Sequence, residues 1–189
     1  MIKNHEKWKD NYYNNISDGY TELHKEEQLK KINLIKHHLK IKPNTKVLDV
    51  GCGPYFGGWD KDAEGNKVDG LEIVGIDPSK ELLKIVDKKV KKAEIGKATK
   101  IKTVNCGAEN IPFADDYFDY VISITAVHNF TDIKKGISEM KRVLKPIGSA
   151  VITILKKSPK KDIIIQLIKQ NFNIIKTIEE EKDVILIIR

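Results

Sequence analysis

Val47-Leu48-Asp49-Val50-Gly51-Cys52-Gly53 joins a short apolar run to two glycines one residue apart. The run has strand character, and a backbone that leaves a strand through Gly-x-Gly can turn with φ > 0 and approach a ligand closely, because no Cβ stands in the way. Taken alone, this spacing equally suits a plain strand-to-helix turn. Working outward, a second apolar run, Leu71-Glu72-Ile73-Val74-Gly75-Ile76, ends in Asp77, an acid of the kind that accepts a ribose diol. Phe118-Asp119-Tyr120-Val121-Ile122-Ser123 reads as another buried strand.

The stretches VLDVGCG (47–53), VGIDPS (74–79), AENIPF (108–113), FDYVIS (118–123) and MKRVLKPIG (140–148) occur in one order across roughly positions 46 to 155. In that order they resemble the class I S-adenosylmethionine (SAM)-dependent methyltransferases. A nicotinamide dehydrogenase also places an acid after a glycine turn, but its fingerprint is G-x-G-x-x-G. Here Gly51-Cys52-Gly53-Pro54-Tyr55-Phe56 has no glycine at the sixth place.

The resemblance implies an α/β fold, Rossmann-like, with helices on both faces of a seven-stranded, mostly parallel sheet. Its implied strand order is 3-2-1-4-5-7-6, with the seventh strand antiparallel. One domain over 1–189 is expected: an N-terminal lid and helix over 1–40 and the Rossmann-like core over 45–189.

At 189 residues, with 40% hydrophobic and 32% charged residues, the chain has the composition of a soluble globular protein. It contains no apolar run long enough to span a bilayer and opens without the apolar core of a signal peptide. Two cysteines make neither a zinc set nor a disulfide framework, so no metal is expected and a cytoplasmic location is. The net charge of +7 suggests an RNA surface, but only Arg142 and Arg189 are arginines. Phosphate and base recognition favours the arginine fork, so a general lysine bias accounts for the charge as well.

Along the chain, residues 1–18 carry Trp8, Tyr12 and Tyr13. They read either as a helix packed on the domain edge or, by resemblance, as a lid over the active site, with Tyr12 toward the substrate and Tyr20 near the methionine end of SAM. Thr21 to Lys40 has the apolar spacing of a helix, with Gln28 and Lys31 expected on a solvated face. Residues 54–70 are rich in Gly, Pro, Asp and Asn and show no helical period. A loop, a short hairpin or a much shortened helix is expected there, where relatives carry the first crossover helix, with Tyr55, Phe56 and Trp59 shaping a substrate mouth. Lys145-Pro146-Ile147-Gly148 reads as a turn into a fifth strand, Ser149–Leu155.

The resemblance assigns the cofactor to specific positions. Gly51, Cys52 and Gly53 let the backbone approach the methionine moiety, and Asp49 steadies that turn or holds the SAM ammonium through water. Asp77 takes the ribose, with Pro78 opening the next helix. Relatives often carry an adenine-binding aspartate where Gly107 stands. Recognition through Gly107 and Ala108 N–H groups is therefore expected, with Asn105 or Glu109 compensating.

Thr125 and the following Ala126-Val127-His128-Asn129-Phe130 lie where the methyl group is delivered. His128 is a candidate for orienting the acceptor or taking its proton, since its reference pKa near 6.5 suits neutral pH. Asn129 is a second candidate for the substrate side, although it lacks the flanking prolines of amide and base N-methylases.

The V-x-H-x-F segment is similar to that of ubiquinone/menaquinone-biosynthesis and tRNA-wobble methyltransferases. The acceptor is therefore open: a small molecule is preferred, with RNA or a translation factor next and a small activating protein partner conceivable. The competing class is a non-catalytic SAM-binding or scaffold subunit, suggested by the altered glycine turn and the missing aspartate.

Overall fold

The computed structural model describes residues 20–55, 58–92 and 99–189. The expected lid, with Tyr12, lies outside the described residues. Helix α1 (Tyr20–Leu39) leads through Asn44, which adopts a positive φ, into β1 (Lys46–Val50). Then follow β2 (Glu72–Asp77), α2 (Lys80–Lys92), β3 (Lys100–Asn105), β4 (Phe118–Ser123), α3 (Ile133–Val143) and β5 (Leu144–Leu155). Helix α4 (Lys161–Asn171), β6 (Ile174–Glu179) and β7 (Asp183–Ile188) complete the set.

The seven strands form one sheet in the order β3-β2-β1-β4-β5-β7-β6, parallel except for β7. This is the expected fold. Strand alternation divides the core in two. Val47, Ile73, Ile122, Val151, Ile185 and Ile187 pack with Ile32, Ile35 and Leu39 of α1 and with Leu83 and Val86 of α2. Leu48, Val50, Val74, Ile76, Val121 and Ile152 pack on the other face with Ile137 and Met140 of α3 and with Ile164 and Ile168 of α4. Parallel strands covered on both faces account for the nearly unbroken apolar runs in the sequence.

Three expectations are corrected. Lys145-Pro146-Ile147-Gly148, read as a turn before the fifth strand, lies inside β5. The pairing jumps from Phe118↔Leu144 to Tyr120↔Ser149, so the surplus residues bulge out and Ile147 is left exposed. Lys31, placed on a solvated face, is buried at 6% exposure because acidic partners meet it inside the α1 layer. Trp59, assigned to a substrate mouth, is fully buried in the same layer. The segment around it has the expected hairpin character, with a single antiparallel bridge, Lys61↔Lys67, where a crossover helix would stand.

Candidate active site

The parallel strands end at one edge of the sheet, and the sequence-predicted residues gather there. After β1 the chain turns sharply: the amides of Gly51 and Cys52 both donate to Ile76 O, at 2.9 and 3.0 Å. Gly51 has φ +69° and Gly53 φ +53°, so both use the left-handed region that glycine enters at little cost. A Cβ on Gly51 would stand 2.5 Å from Ala126 Cβ, whereas one on Gly53 would meet none of the described residues within 4 Å. The first glycine is therefore needed for packing and the second borders open space.

Asp77, the last residue of β2, is buried, and its two oxygens take different partners. Oδ2 accepts the Gly53 N–H at 3.0 Å and Oδ1 accepts the Ser79 N–H at 2.9 Å. Burial pushes its carboxyl above the ordinary carboxylate range, and the two N–H donors oppose that. The cap of α2 falls to Ser79, whose Oγ accepts from Leu82 N. Asn105 donates its side-chain amide to Asp77 O and Pro78 O, at 3.0 and 2.8 Å, and so braces the β2 exit. Pro78 itself is exposed.

Asp49 lies on the same face as Asp77. It is buried and accepts the Trp59 indole N–H at 2.9 Å. Burial raises its carboxyl to about 7; the indole bond lowers it and the nearby Asp77 charge raises it. Burial likewise pushes the Cys52 thiol up, with Asp49 and Asp77 adding to the rise, so Cys52 is an inert thiol in the turn.

Across the edge, Gly107 is half-buried and Ala108 buried. A Cβ on Gly107 would lie 2.5 Å from Glu109 Oε2, so the Glu109 carboxylate occupies the room that a side chain at 107 would need. Its Oε1 accepts the Asp132 N–H at 3.1 Å. Beyond this segment, Arg142 ties the strap together by donating to Ile111 O, Phe113 O, Asp115 and Glu139.

After β4 the chain makes a corner at Thr125–Ala126 and a 3-10 turn at Val127–Asn129. Thr125 has φ +54°, and Ala126 rests against Gly51. His128 is half-buried and its carbonyl accepts from Lys160 Nζ at 2.9 Å; Asn129 is exposed. Tyr20 opens α1, with its side chain outside the described set. The edge thus brings together Asp49, Gly51, Cys52, Gly53, Asp77, Thr125 and Ala126. Gly107, Ala108 and Glu109 lie beyond β2 and β3, and His128 and Asn129 follow the corner.

Two features were missed in the sequence: the Trp59–Asp49 bond and the burial of Lys31. A signal for the second existed. Thr153 and Asp183 fall on strand positions facing α1, and a buried acid there calls for a cation. Among the described residues no group of three His, Cys, Asp or Glu could hold a metal ion, and no helix is long and apolar enough to cross a membrane.

Residues 48–152 match the methyltransferase domain family. Demethylmenaquinone methyltransferase of Lysinibacillus sphaericus is 34% identical over 114 residues, covering 60% of this chain and 46% of that protein. Uncharacterized protein MJ1252 of Methanocaldococcus jannaschii is 30% identical over 166 residues, covering 87% of this chain and 59% of that protein. The chain thus spans about half the length of the curated relatives it matches. A SAM-dependent methyltransferase of Aquifex aeolicus shares the fold, with a TM-score of 0.70 at 18% identity, covering 95% of this chain and 97% of that one. More than half of the sequence falls within the matching domain, and the sheet carries the strand order of the fold. The chain therefore belongs to the class I S-adenosylmethionine-dependent methyltransferases.

Proposed function

We propose that the chain moves a methyl group from SAM to a small-molecule acceptor, with a reduced quinone ring as the first candidate. The open space over Gly53, bounded by the Asp77 carboxylate, carries this reading. It fits the cofactor chemically. Each Asp77 oxygen accepts one N–H and keeps a lone pair for a ribose hydroxyl, a charge-assisted pair on a diol. Buried Asp49 suits the cationic methionine end, and Gly51, Cys52 and Gly53 supply a backbone wall without bulk. Gly107 and Ala108 offer N–H groups to the adenine edge, with Glu109 beside them.

When bound, SAM supplies a methyl already activated on its sulfonium. The protein's task is orientation and exclusion of water. The Thr125–Ala126 corner forms the wall facing the glycine turn, and His128 and Asn129 stand at the rim on the acceptor side. His128 is the candidate to orient the acceptor or take its proton. Tyr20, the first residue of α1, is the candidate to cover the cofactor's methionine end, and Tyr12, earlier in the sequence, the candidate for the acceptor side. A small acceptor is supported by the names of relatives such as demethylmenaquinone methyltransferase.

Transfer of labelled methyl from SAM into demethylmenaquinol and into small-molecule, RNA and protein fractions of the source cell tests this. Label in the small-molecule fraction is expected. Label in RNA or a translation factor alone would move the acceptor to the translation machinery. Tight SAM binding with no label anywhere, even after a cell extract is added to supply an activating partner, would leave a binding or scaffold subunit.

A further inference from the structure

A chain of polar side chains lies on the α1 face at the edge where the parallel strands end, and none of the roles above uses most of it. Buried Lys31 places Nζ 2.6 Å from Asp183 Oδ2, 3.0 Å from Glu27 Oε1 and 3.4 Å from Thr125 Oγ1. Glu27 is held in turn by Lys182 at 2.8 Å, and together these bonds keep its carboxyl down at about 2 despite the opposing effect of burial. Asp183, the first residue of β7, is fully buried; neither of its carboxylate oxygens has a well-aligned hydrogen bond among the described residues, and the 2.6 Å approach of Lys31 is a charge contact. Its carboxylate depends on Lys31. Thr153 of β5, also fully buried, accepts the Thr125 N–H at 2.7 Å and stands 3.2 Å from Thr125 Oγ1. One polar chain, Asp183–Lys31–Thr125–Thr153, thus joins α1, β7, β5 and the exit of β4.

It converges on a strained residue. Thr125 has φ +54°, and a β-branched side chain in that region is a true outlier, retained only where its surroundings enforce it. The same backbone turn brings Ala126 against Gly51, so it sets the distance between the β4 corner and the glycine turn. A buried ion pair adds little stability over apolar packing of the same volume, so the consequence of this one is geometric.

We propose that Lys31 and Asp183 are positioning residues that hold Thr125 in its left-handed conformation and so set the crevice wall facing the sulfur end of the cofactor. The identity of that ligand rests on the methyltransferase reading; the conformational part does not. Neither residue touches the reacting atoms: they act through Thr125.

The test combines Lys31→Met with Asp183→Asn, so that no lone charge stays buried, and makes the pair both with Thr125 present and in a Thr125→Gly background. S-adenosylhomocysteine affinity is measured by calorimetry, alongside melting temperature. Glycine takes a positive φ unaided. The pair is therefore expected to weaken affinity about tenfold with Thr125 present and less than about twofold in the Thr125→Gly background, as strain relief requires. Equal losses in both backgrounds, or no loss with Thr125, overturn the proposal. If the paired variant does not fold, Thr153→Val removes the acceptor of the Thr125 N–H without touching a charge and is read the same way. If the unaltered protein binds no S-adenosylhomocysteine, the cofactor reading fails, yet the melting temperatures still decide. The drop must differ between the two backgrounds, because a pair that acts through Thr125 is energetically coupled to it, and equal drops overturn the proposal.

Discussion

Gly53 donates its amide N–H to Asp77 Oδ2 at 3.0 Å, so the carboxylate that ends β2 also holds the second glycine of the turn after β1. Ribose binding and turn geometry therefore share one side chain. Asp77→Ala is expected to weaken S-adenosylhomocysteine binding at least about tenfold, the scale of losing roughly 1.5–3 kcal/mol of charged hydrogen bonding. Asp77→Asn keeps one acceptor oxygen and should fall between. Calorimetry on the folded variants checks both, and unchanged affinity in Asp77→Ala would remove the ribose assignment.

The two glycines of the turn should fail in different ways. Gly51→Ala drives a methyl into Ala126 at φ +69°, and is expected to cost about 2–4 kcal/mol from backbone strain and overpacking combined. Gly53→Ala, at φ +53° with no described residue within 4 Å, should cost only about 1–2 kcal/mol. Its methyl would project into the crevice and lower cofactor affinity out of proportion to stability. Urea denaturation paired with calorimetry separates them; equal stability losses would contradict the packing difference.

Asp49 gives the pH dependence. The folded state keeps this buried carboxyl protonated up to about 7, whereas the ordinary value is 3.8. Between those values the unfolded chain binds fewer protons, so stability falls as pH rises, by at most about 1.4 kcal/mol per pH unit, and is level above the folded value. Asp49→Asn lacks this slope. The variant should therefore gain on the unaltered protein across that window, measured by urea denaturation at a series of pH values. A gap that stays constant with pH would show that Asp49 is ionised in the fold throughout.

Arg142 should not tolerate lysine. Its guanidinium bonds Glu139, Asp115, Ile111 O and Phe113 O at 2.7 to 2.9 Å, a fork that an ammonium cannot reproduce. Arg142→Lys and Arg142→Ala are both expected to cost about 1–3 kcal/mol and to loosen the segment from Gly107 to Phe113. Hydrogen exchange of Ile111 N–H, which donates to Glu139 Oε2, reports the loosening. Full protection in Arg142→Lys would show that charge alone suffices.

The sheet was legible because buried parallel strands must be apolar on both faces, and each such run is punctuated by glycine, proline or acid. Asp77 and the two glycines could be read for the same reason, since they terminate runs that identify themselves. The β5 bulge was not legible: Lys145-Pro146-Ile147-Gly148 has turn chemistry whether the chain reverses or merely bulges, and only the partner strand decides. Trp59 was misread because an indole in a Gly- and Asp-rich segment looks exposed. Lys31 carries no local mark of burial, because Glu27 beside it would suit an exposed helix pair equally and its fully buried counter-charge comes from β7, far along the chain.

β7 alone runs against the rest of the sheet, so it offers its first residue to the edge where its parallel neighbours offer their last. Side chains alternate along a strand, and a hairpin one residue longer or shorter would slide β7 by a single step and exchange its two faces. The lysine of α1 would then meet an aliphatic group in place of an acid. A relative with an odd change in the length of that hairpin must therefore secure the β4 corner by other means, and hairpin length, visible in sequence alone, sorts chains that can use this ion pair from those that cannot.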